Sequence, residues 1–387
     1  MFLVDYPLTE EQKMLRDLCR QIAEEKIRPQ SRELDEKEEF PVEIIKILGQ
    51  SDLFSICIPE EYGGMGTGLM DLCIATEEIS RVDGGIATTY AASFLGMFPI
   101  LFFGTEEQKK KYLPDIASGK KLAAFALTEP EAGSDAAAVK TTAVKDGDYY
   151  ILNGTKHFIT NGGDAEVYTV IAVTNKSRGP RGVSAFILDK GMEGFTFGKK
   201  EEKLGIRASS TGELIFNDLK VPKENLLGAK EGIGFIATMR TFDHSRPGVA
   251  AQAVGIGQGA LELATEYARQ RVQFGKPISS FQGIQWMLAD MATKVEAARS
   301  LVYSVASMVD RGLKNVGPAS AAAKMFASDV AMEVTTNAVQ IYGGYGYMRD
   351  YPVEKFMRDA KITQIYEGTN QIQKNIIALS LIKKYGK

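Results

Sequence analysis

The spacing of apolar residues changes twice along the chain, and these changes divide the sequence into three parts. From Thr9 onward the apolar residues recur every three to four positions, as they do on one face of an α-helix. Between about residues 122 and 221 they alternate with polar residues or form short β-branched and aromatic runs, which is typical of strands. From about residue 232 the helical spacing returns. We therefore predict an α+β chain with a helical domain at residues 1–118, a β domain at residues 119–231 and a helical bundle domain at residues 232–387.

Short sequence signals mark where helices begin in the first part. Thr9 and Thr105 are each followed by Glu-Glu-Gln, a capping box in which the Thr and Gln side chains accept bonds from free backbone N–H groups. The segment from residue 84 to residue 104 carries no charge and has about the length that spans a bilayer. Because Thr, Tyr, Ser, Gly and Pro dilute its hydrophobicity, we predict a core helix that lines a pocket, with no membrane insertion.

Strands separated by turn signals are predicted in the middle part. The absence of helical spacing between them favours an antiparallel barrel or sandwich over a parallel sheet with crossover helices. Asp146-Gly147-Asp148 and Asn153-Gly154 are turn signals typical of hairpins. The predicted strands are residues 149–152, 167–173, 183–188 and 214–216, and long helices follow near residues 233–272, 282–312, 317–342 and 371–385. Long helices joined by short breaks indicate a bundle.

Composition and charge narrow the function classes. The 46 basic and 49 acidic residues are nearly balanced and form no long run of like charge, so nothing indicates binding to nucleic acid or to an anionic membrane. Cys19, Cys57 and Cys73 lie far apart, with no His or Cys at metal-ligand spacing, which indicates reduced thiols and no metal site. The N-terminal residues show no basic segment followed by an apolar one, so we expect no secretory signal and a cytoplasmic location.

One carboxylate near the C-terminus stands among apolar and small residues. Glu367 lies between Tyr366 and Gly368, where a turn would hold it against a cavity. Loss of hydration there disfavours the charged form, raises the pKa and makes the group a candidate general base near neutral pH. The alternative is that Thr369 simply caps the next helix and that Glu367 is a solvated residue before the cap. The spacing of residues alone leaves both interpretations open.

Two further segments carry candidate binding groups. The run from Phe125 to Asp135 is a strand entering a loop whose N–H and hydroxyl groups could hold a phosphate or a flavin edge, or could only close a turn. The run from Thr155 to Gly162 ends a strand with aromatic, hydroxyl and amide groups. His157 within it is a candidate catalytic residue, although lone histidines in strands are more often structural. Glycine-rich runs at residues 232–237 and 255–260 follow no strand of a βαβ unit, so we assign them to helix packing rather than to dinucleotide binding.

Together, these segments give the whole chain a resemblance to the acyl-CoA dehydrogenases, a flavoprotein family with an α-helical, a β-barrel and a second α-helical domain. The motifs that carry the resemblance occur in the family's order: Pro59-Glu60-Glu61-Tyr62-Gly63-Gly64, Thr128-Glu129-Pro130, Gly133-Ser134-Asp135, Asn153-Gly154-Thr155-Lys156, Arg271 to Gly275, Gln340-Ile341-Tyr342-Gly343-Gly344-Tyr345-Gly346 and Tyr366-Glu367-Gly368-Thr369. The resemblance implies the three-domain fold of that family, FAD as the cofactor and assembly into a homotetramer.

The resemblance also implies roles for single residues. Glu367 would be the catalytic base, and its backbone N–H would polarise the thioester carbonyl. The residues that would contact FAD are Phe125, Leu127, Thr128, Gly133, Ser134, Phe158, Ile159 and Thr160, with Thr369 and Gln371 near its adenosine part. The residues that would reach the FAD of a neighbouring subunit are Arg271, Phe274, Gln282, Gln340, Gly343 and Gly344. The residues that would contact the acyl-CoA substrate are Ser134, Tyr90, Phe94, Asp243, Arg246, Tyr366 and Gly368.

The implied reaction is an α,β-dehydrogenation of an acyl-CoA thioester. Glu367 would remove the α-proton, the β-hydrogen would leave as hydride to FAD, and the electrons would pass to an electron-transferring flavoprotein. An oxidase that delivers electrons to oxygen, and a family member used for binding rather than catalysis, are the alternatives. Some relatives place the base near Ser245, which is not an acid here, so the sequence favours Glu367.

Three positions depart from common family patterns. Phe158 replaces a Trp at the expected flavin face, and Glu131 lies where many members have Gly or a small polar residue. Ile86 falls where relatives that oxidise glutaryl-CoA carry an Arg, so a terminal carboxylate on the substrate would lack a partner. A short, medium, branched or cyclic aliphatic acyl group therefore remains open.

Overall fold

The structure, a computed structural model, describes residues 4–386. The first part consists of helices α1 (Glu10–Ile22), α2 (Arg28–Lys37), α3 (Val42–Gln50), α4 (Leu69–Ser80), α5 (Gly84–Phe103) and α6 (Glu106–Ala117), with a π-helical turn at Ala23–Ile27. The middle part consists of strands β1 (Ala123–Ala126), β2 (Thr142–Asp146), β3 (Tyr149–Thr160), β4 (Val167–Val173), β5 (Val183–Asp189), β6 (Phe195–Lys200) and β7 (Thr211–Pro222). The last part consists of helices α7 (Gly234–Gln270), α8 (Gln282–Asp310), α9 (Gly317–Tyr342), α10 (Val353–Thr363) and α11 (Asn370–Tyr385), with a small hairpin of β8 (Val272–Gln273) and β9 (Lys276–Pro277).

Helix starts occur where the capping signals predicted them. The Thr9 hydroxyl accepts a bond from the Gln12 N–H at 3.2 Å, and the Gln12 side chain accepts one from the Thr9 N–H at 3.1 Å. Thr105 and Gln108 repeat the same two bonds at the start of α6. Both capping boxes are confirmed, and each satisfies backbone N–H groups that have no partner inside the helix.

The uncharged segment forms α5, a helix in the protein core. By length and composition it is the one helix in residues 4–386 that could cross a membrane, but 72% of its most apolar window is buried inside the protein. Its Gly96 lies against β1, where an added Cβ would be 2.5 Å from the Ala124 nitrogen. A larger residue at position 96 would therefore force α5 away from the sheet.

The middle part forms one seven-stranded sheet. Its strands follow the order β1-β4-β2-β3-β7-β6, with β5 paired to β4 outside that path. The pairs β2–β3, β3–β7, β4–β5 and β6–β7 are antiparallel, as predicted. The β1–β4 pair is parallel, and so is the single register pair between β2 and β4. The parallel pairs depart from the predicted antiparallel arrangement. The β2–β3 hairpin lies between β1 and β4 in the sequence and provides the long connection that parallel strands need.

Helix α10 was not predicted. The other helices of the last part lie within a few residues of the predicted ranges, but α10 is short and lies between a glycine-rich break and the Glu367 motif. It is amphipathic, and it buries Val353, Phe356 and Ala360 against the core. It also brings Lys355 and Asp359 into the interior, where both side chains are buried.

A buried cluster of charges around Lys355 joins all three parts of the chain. Lys355 Nζ lies 2.6 Å from Asp359 Oδ2 and 3.1 Å from Asp83 Oδ2, at the N-terminus of α5. The other Asp359 oxygen accepts a bond from the Ile206 N–H, in the loop before β7, at 2.5 Å. Asp83 also caps α5 by accepting bonds from two N–H groups, and it accepts a bond from the Ser31 hydroxyl of α2. The cluster therefore fixes the N-terminal helices and the sheet relative to α10.

We expect Lys355→Met to destabilise the fold strongly, because it leaves Asp83 and Asp359 buried without their cation. Removal of one partner from a buried ion pair costs about 3–5 kcal/mol of unfolding free energy. Urea unfolding followed by circular dichroism measures the change, with Lys374→Met, at an exposed position on α11, as the matched control. Equal unfolding midpoints for the two variants would show that the cluster does not hold the three parts together.

Candidate active site

Glu367 lies on a left-handed turn between α10 and α11. Its φ is +51° and that of Gly368 is +90°, a region that residues with a Cβ rarely occupy. The Thr369 hydroxyl accepts a bond from the Ile372 N–H at 3.4 Å and caps α11. Thr369 is thus the helix cap of the alternative interpretation, yet Glu367 is partly buried and hydrogen-bonded rather than freely solvated. The cap and the turn occur together.

Three long side chains hold the main chain of this turn. Arg246 Nε of α7 donates to the Glu367 carbonyl at 3.3 Å, and Gln373 Nε2 of α11 donates to the same oxygen at 3.1 Å. Gln373 Nε2 also donates to the Gly368 carbonyl at 2.8 Å. The same carbonyl accepts a bond from Lys324 Nζ of α9 at 2.9 Å. The turn is therefore fixed from three helices, so its position does not depend on the local sequence alone.

The Glu367 carboxyl has the electrostatic surroundings of a general base. Burial raises its pKa above the ordinary value, while a bond from the Ser245 hydroxyl to Oε2 at 2.5 Å and the charges of Arg246 and Lys324 oppose the rise. A carboxylate whose pKa moves toward neutrality gains proton affinity while remaining ionised near pH 7. This arrangement can remove a weakly acidic proton from a bound molecule.

Beside Glu367, a chain of hydrogen bonds closes the space between α5 and α7. The Tyr366 hydroxyl donates to Gln252 Oε1, and Gln252 Nε2 donates to the Thr88 hydroxyl at 2.7 Å and to the Gly84 carbonyl at 2.9 Å. Gln252 is buried, as is Thr88. These polar groups fill the interior next to Tyr366, the residue before Glu367.

The predicted pocket residues Tyr90 and Phe94 follow Thr88 along α5. Their rings meet edge to face at 5.2 Å, and Phe54 packs against both. Both side chains are buried, and the Tyr90 hydroxyl donates to the Leu53 carbonyl at 2.9 Å. Together with Phe54 they form a buried aromatic cluster.

A buried ion pair anchors the loop that follows β1. Lys156 Nζ of β3 lies 2.7 Å from Glu129 Oε1 and donates to the Leu127 carbonyl at 3.0 Å. The Glu129 carboxylate also accepts bonds from the N–H groups of Lys140 and Thr141, at 2.6 and 2.9 Å. Burial lowers the pKa of Lys156 to about 8, against the opposing effect of Glu129. Both residues belong to motifs found in the sequence, but no role was predicted for either, although a Lys inside a strand of the middle part was a signal.

The anchored loop presents groups suited to a planar, anionic ligand. Thr128 is partly buried, whereas Gly133 and Ser134 are exposed; Phe125 and Leu127 are buried behind them. The centroid of the Phe125 ring lies 5.9 Å from that of Phe242. Phe242 is part of α7, the helix that also carries Ser245 and Arg246. The loop and the Glu367 turn thus approach the same stretch of α7.

A bulge in β3 turns Phe158 outward. The register of β3 and β7 shifts between Lys156 and Ile159, Phe158 has a φ of +58°, and its side chain is 59% exposed. Such a bulge reorients a side chain that would otherwise follow the alternation of the strand. Ile159 is buried and Thr160 is partly buried beside it.

His157, in the same bulge, bridges two carboxylates. Its Nε2 lies 3.0 Å from Glu201 Oε1 and its Nδ1 lies 3.3 Å from Glu213 Oε1. These three residues form the one cluster of possible metal ligands within residues 4–386. The two carboxylates lie at opposite ring nitrogens, and Nδ1 is buried without a hydrogen-bond partner in the described part of the chain. A catalytic role for His157 stays a prediction.

A cavity of about 460 Å³ is lined in part by residues that were predicted to reach a neighbouring subunit. Arg271, Gly343 and Gly344 line it, and the Arg271 guanidinium lies 5.3 Å from the Tyr345 ring. Its remaining lining residues are Tyr267, Gln273, Ile278, Ile341, Tyr342, Tyr345 and Met348. Phe274 is 94% exposed, and Gln282 and Gln340 are exposed too. None of these residues lines the Glu367 turn.

The remaining predicted site residues lie near the ends of the Glu367 turn. Asp243 Oδ1 is 3.7 Å from Arg246 Nη1, and burial raises the pKa of Asp243. Thr369 is partly buried, and Gln371, in the first turn of α11, is exposed.

The residues around Phe158 fit a flavin in one further respect. The Thr89 hydroxyl, the Asn161 side-chain oxygen and the Ser210 hydroxyl are buried and lack a hydrogen-bond partner in the described part of the chain. Asn161 joins them, because its N–H donates to the Ser210 carbonyl and its amide donates to the Thr89 carbonyl, both at 3.1 Å. Unpartnered buried oxygens are costly, and a ligand rich in donors and acceptors would satisfy them.

Three family models match nearly the whole chain: the acyl-CoA dehydrogenase N-terminal domain at residues 9–120, middle domain at 124–219 and C-terminal domain at 232–382. A chain solved in work on the electron transferring flavoprotein of Acidaminococcus fermentans and flavin-based electron bifurcation is 54% identical, with a TM-score of 0.96 over 98% of this chain and 100% of that chain. Butyryl-CoA dehydrogenase from Megasphaera elsdenii is 49% identical, also with a TM-score of 0.96, over 98% of this chain and 100% of that chain.

A third solved relative bears on the cofactor. An acyl-CoA dehydrogenase from Bacillus anthracis, in complex with FAD, is 38% identical with a TM-score of 0.92, covering 98% of this chain and 68% of that one. The chain belongs to the acyl-CoA dehydrogenase family, whose members are FAD-dependent oxidoreductases. The resemblance, the three-domain fold, the enzyme class and the cofactor predicted from the sequence are thereby confirmed.

We expect Glu129→Gln to weaken FAD binding, because it leaves Lys156 buried without a counter-charge and loosens the loop that carries Thr128. A loss of about 1.4 kcal/mol would raise the Kd for FAD about tenfold, which fluorescence titration of the apoprotein measures. Glu131→Gln is the matched control on the same loop, since Glu131 is exposed and its one ion pair within residues 4–386 is with Lys140 at the surface. An unchanged Kd in Glu129→Gln would disprove the anchoring role.

Proposed function

We propose that the protein catalyses the α,β-dehydrogenation of a short aliphatic acyl-CoA thioester to the 2-enoyl-CoA, with Glu367 as the base. The observation that carries the proposal is the Glu367 carboxyl itself, partly buried on a turn fixed from three helices, with a pKa raised by burial. Membership of the acyl-CoA dehydrogenase family supports the reaction class.

Glu367 performs the first proton transfer. A thioester α-proton is weakly acidic, and its removal places negative charge on the carbonyl oxygen, which hydrogen-bond donors must stabilise. The Glu367 N–H donates to no acceptor within residues 4–386, so it is free to bind that oxygen. Ser245 and Arg246 keep the carboxylate and its carbonyl in place while the proton moves. FAD, when bound, supplies the acceptor for the β-hydride.

The short chain length follows from the polar layer beside Glu367. Tyr366, Gln252 and Thr88 form a hydrogen-bonded group between α5 and α7, and we infer that this group bounds the acyl pocket beside Glu367. Desolvating these groups with a longer chain would break their hydrogen bonds without replacing them. The relation to butyryl-CoA dehydrogenase of Megasphaera elsdenii agrees with this limit.

The proposal extends to partners and assembly. An electron-transferring flavoprotein is the proposed electron acceptor, supported by the relative solved in work on such a protein. Assembly into a homotetramer is proposed because Phe274, Gln282 and Gln340 stand exposed around the Arg271 cavity, away from Glu367. Through these contacts one subunit would complete the FAD site of another. The enzyme would work in the cytoplasm.

An oxidase is the remaining alternative within this chemistry. Oxygen consumption with butyryl-CoA in the absence of an electron-transferring flavoprotein distinguishes it from a dehydrogenase. We expect slow consumption, far below the rate of flavin reduction.

We expect Glu367→Gln to slow flavin reduction by butyryl-CoA strongly, because the amide cannot take the α-proton. The rate of bleaching in an anaerobic titration should fall about 10²–10⁴-fold, while the FAD absorbance of the resting enzyme is unchanged. In the wild type the rate should rise with pH as the carboxyl ionises, and the raised pKa moves this rise above the ordinary range of a Glu. Bleaching of the variant at the wild-type rate would exclude Glu367 as the base, and a wild type that no thioester bleaches would exclude the function.

We expect Gln252→Ala to admit longer acyl chains, because it removes the amide that links Tyr366 to Thr88. The ratio of kcat/KM for octanoyl-CoA to that for butyryl-CoA should rise at least about tenfold, because the two acyl groups differ by several methylenes and a single methylene already provides about tenfold discrimination in an apolar pocket. Gln270→Ala is the matched control, since Gln270 is exposed at the end of the same helix. An unchanged ratio would show that other residues set the chain length.

A further inference from the structure

Lys324 is a wholly buried lysine on α9 that the reaction described above does not use. Its Nζ donates to the Gly368 carbonyl at 2.9 Å and to Asn370 Oδ1 at 3.0 Å. Across residues 4–386, no carboxylate lies within ion-pair distance of it, unlike the buried Lys156 and Lys355. A buried ammonium bound only to neutral oxygens is costly, and such groups seldom persist without a function.

The charges around Lys324 identify its electrostatic partner. Burial lowers its pKa to about 7, and the attraction of Glu367 is the largest effect that opposes this change. Arg246 of α7 repels it, and Asp329 of α9 attracts it more weakly. Asp329 is itself engaged, because its carboxylate accepts a bond from the Asn370 amide at 2.8 Å. Glu367 is therefore the anion that Lys324 stabilises most.

We propose that Lys324 is the positioning residue and counter-charge of the Glu367 base. The inference rests on the proposed function, and it assigns Lys324 two actions. Its bond to the Gly368 carbonyl holds the left-handed turn that carries the carboxylate, and its positive charge keeps that carboxylate ionised and ready to accept the α-proton.

Of the groups that face Glu367, Arg246 also carries a positive charge, and it lowers the pKa of the carboxyl more than Lys324 does. From α7, Ser245 gives a neutral hydrogen bond, and Arg246 is shared with Asp243 at 3.7 Å. From α11, Gln373 contributes only a neutral amide. Arg246 remains when Lys324 is removed, so the carboxylate should lose part of its stabilisation rather than all of it.

The sign of the effect follows from this arrangement. A nearby cation favours the ionised form of an acid, so loss of Lys324 should move the titration of Glu367 to higher pH. Turnover should then fall about tenfold on the acidic side of the profile and approach the wild-type rate at alkaline pH. There Glu367 is ionised in both proteins, and Lys324 has lost its proton in the wild type.

The test titrates Glu367 directly by difference infrared spectroscopy of the FAD-loaded enzyme, with Glu367→Gln to assign the carboxyl band. Lys324→Met removes both the charge and the bond to Gly368, whereas Lys324→Gln keeps a donor without the charge. We expect both variants to raise the titration midpoint, and Lys324→Arg to restore it. Lys361→Met is the matched control, because Lys361 is exposed on α10 and its side chain bonds Gln364, the residue after that helix.

The pH profile of kcat for butyryl-CoA is the second readout. A midpoint and profile in Lys324→Gln equal to those of the wild type would overturn the proposal, as would equal shifts in Lys361→Met. If Lys324→Met fails to fold, Lys324→Gln still decides the question. The infrared titration needs no turnover, so failure of the proposed function, seen as a wild type bleached by no thioester, is distinguishable from failure of this inference.

Discussion

The placement of Glu367 depends on hydrogen bonds from buried side chains to two carbonyl oxygens. The turn at Glu367 and Gly368 has positive φ at both residues, which costs free energy that the local sequence does not return. Arg246, Lys324 and Gln373 offset that cost from three helices. Helices α7 and α9, which carry Arg246 and Lys324, also pack extensively on each other. A change in the packing of these helices would therefore move the Glu367 carboxylate.

Buried charges recur wherever separate segments of this fold meet. The cluster of Asp83, Lys355 and Asp359 joins α5, α10 and the loop before β7, and Glu129 with Lys156 joins the loop after β1 to β3. In each case the carboxylate that pairs with a lysine also accepts hydrogen bonds from backbone N–H groups. The ion pair therefore holds the main chain in place as well as the side chains. Hydrophobic packing supplies most of the stability of a domain, but it does not specify loop geometry as sharply as a satisfied polar network does.

The order of helices and strands could be predicted from the sequence because it depends on local period and capping, as Thr9 and Thr105 show. The parallel pairing of β1 with β4 could not, since it depends on which edge of the sheet accepts a distant strand. Within the site, Glu367 and the loop around Thr128 were found through motifs. Lys324 and Gln252 were not, because each is one polar residue in a helix whose partners lie far along the chain, and no spacing rule connects them.

Backbone strain connects the segments that family resemblance singled out. Phe158, Phe274 and Glu367 all have positive φ, and the last two are each followed by a Gly that also has positive φ. Propensity alone would place Gly or Asn at such positions. A bulky or acidic side chain is retained there only if its direction matters more than the strain, and the surrounding bonds must then hold the conformation. In this protein the turn that aims Glu367 is held by buried donors, one of which, Lys324, also carries the charge that favours the ionised base. Arg246 and Lys324 both bond the main chain of the turn and both favour the ionised carboxylate, so the position and the ionisation of Glu367 are linked.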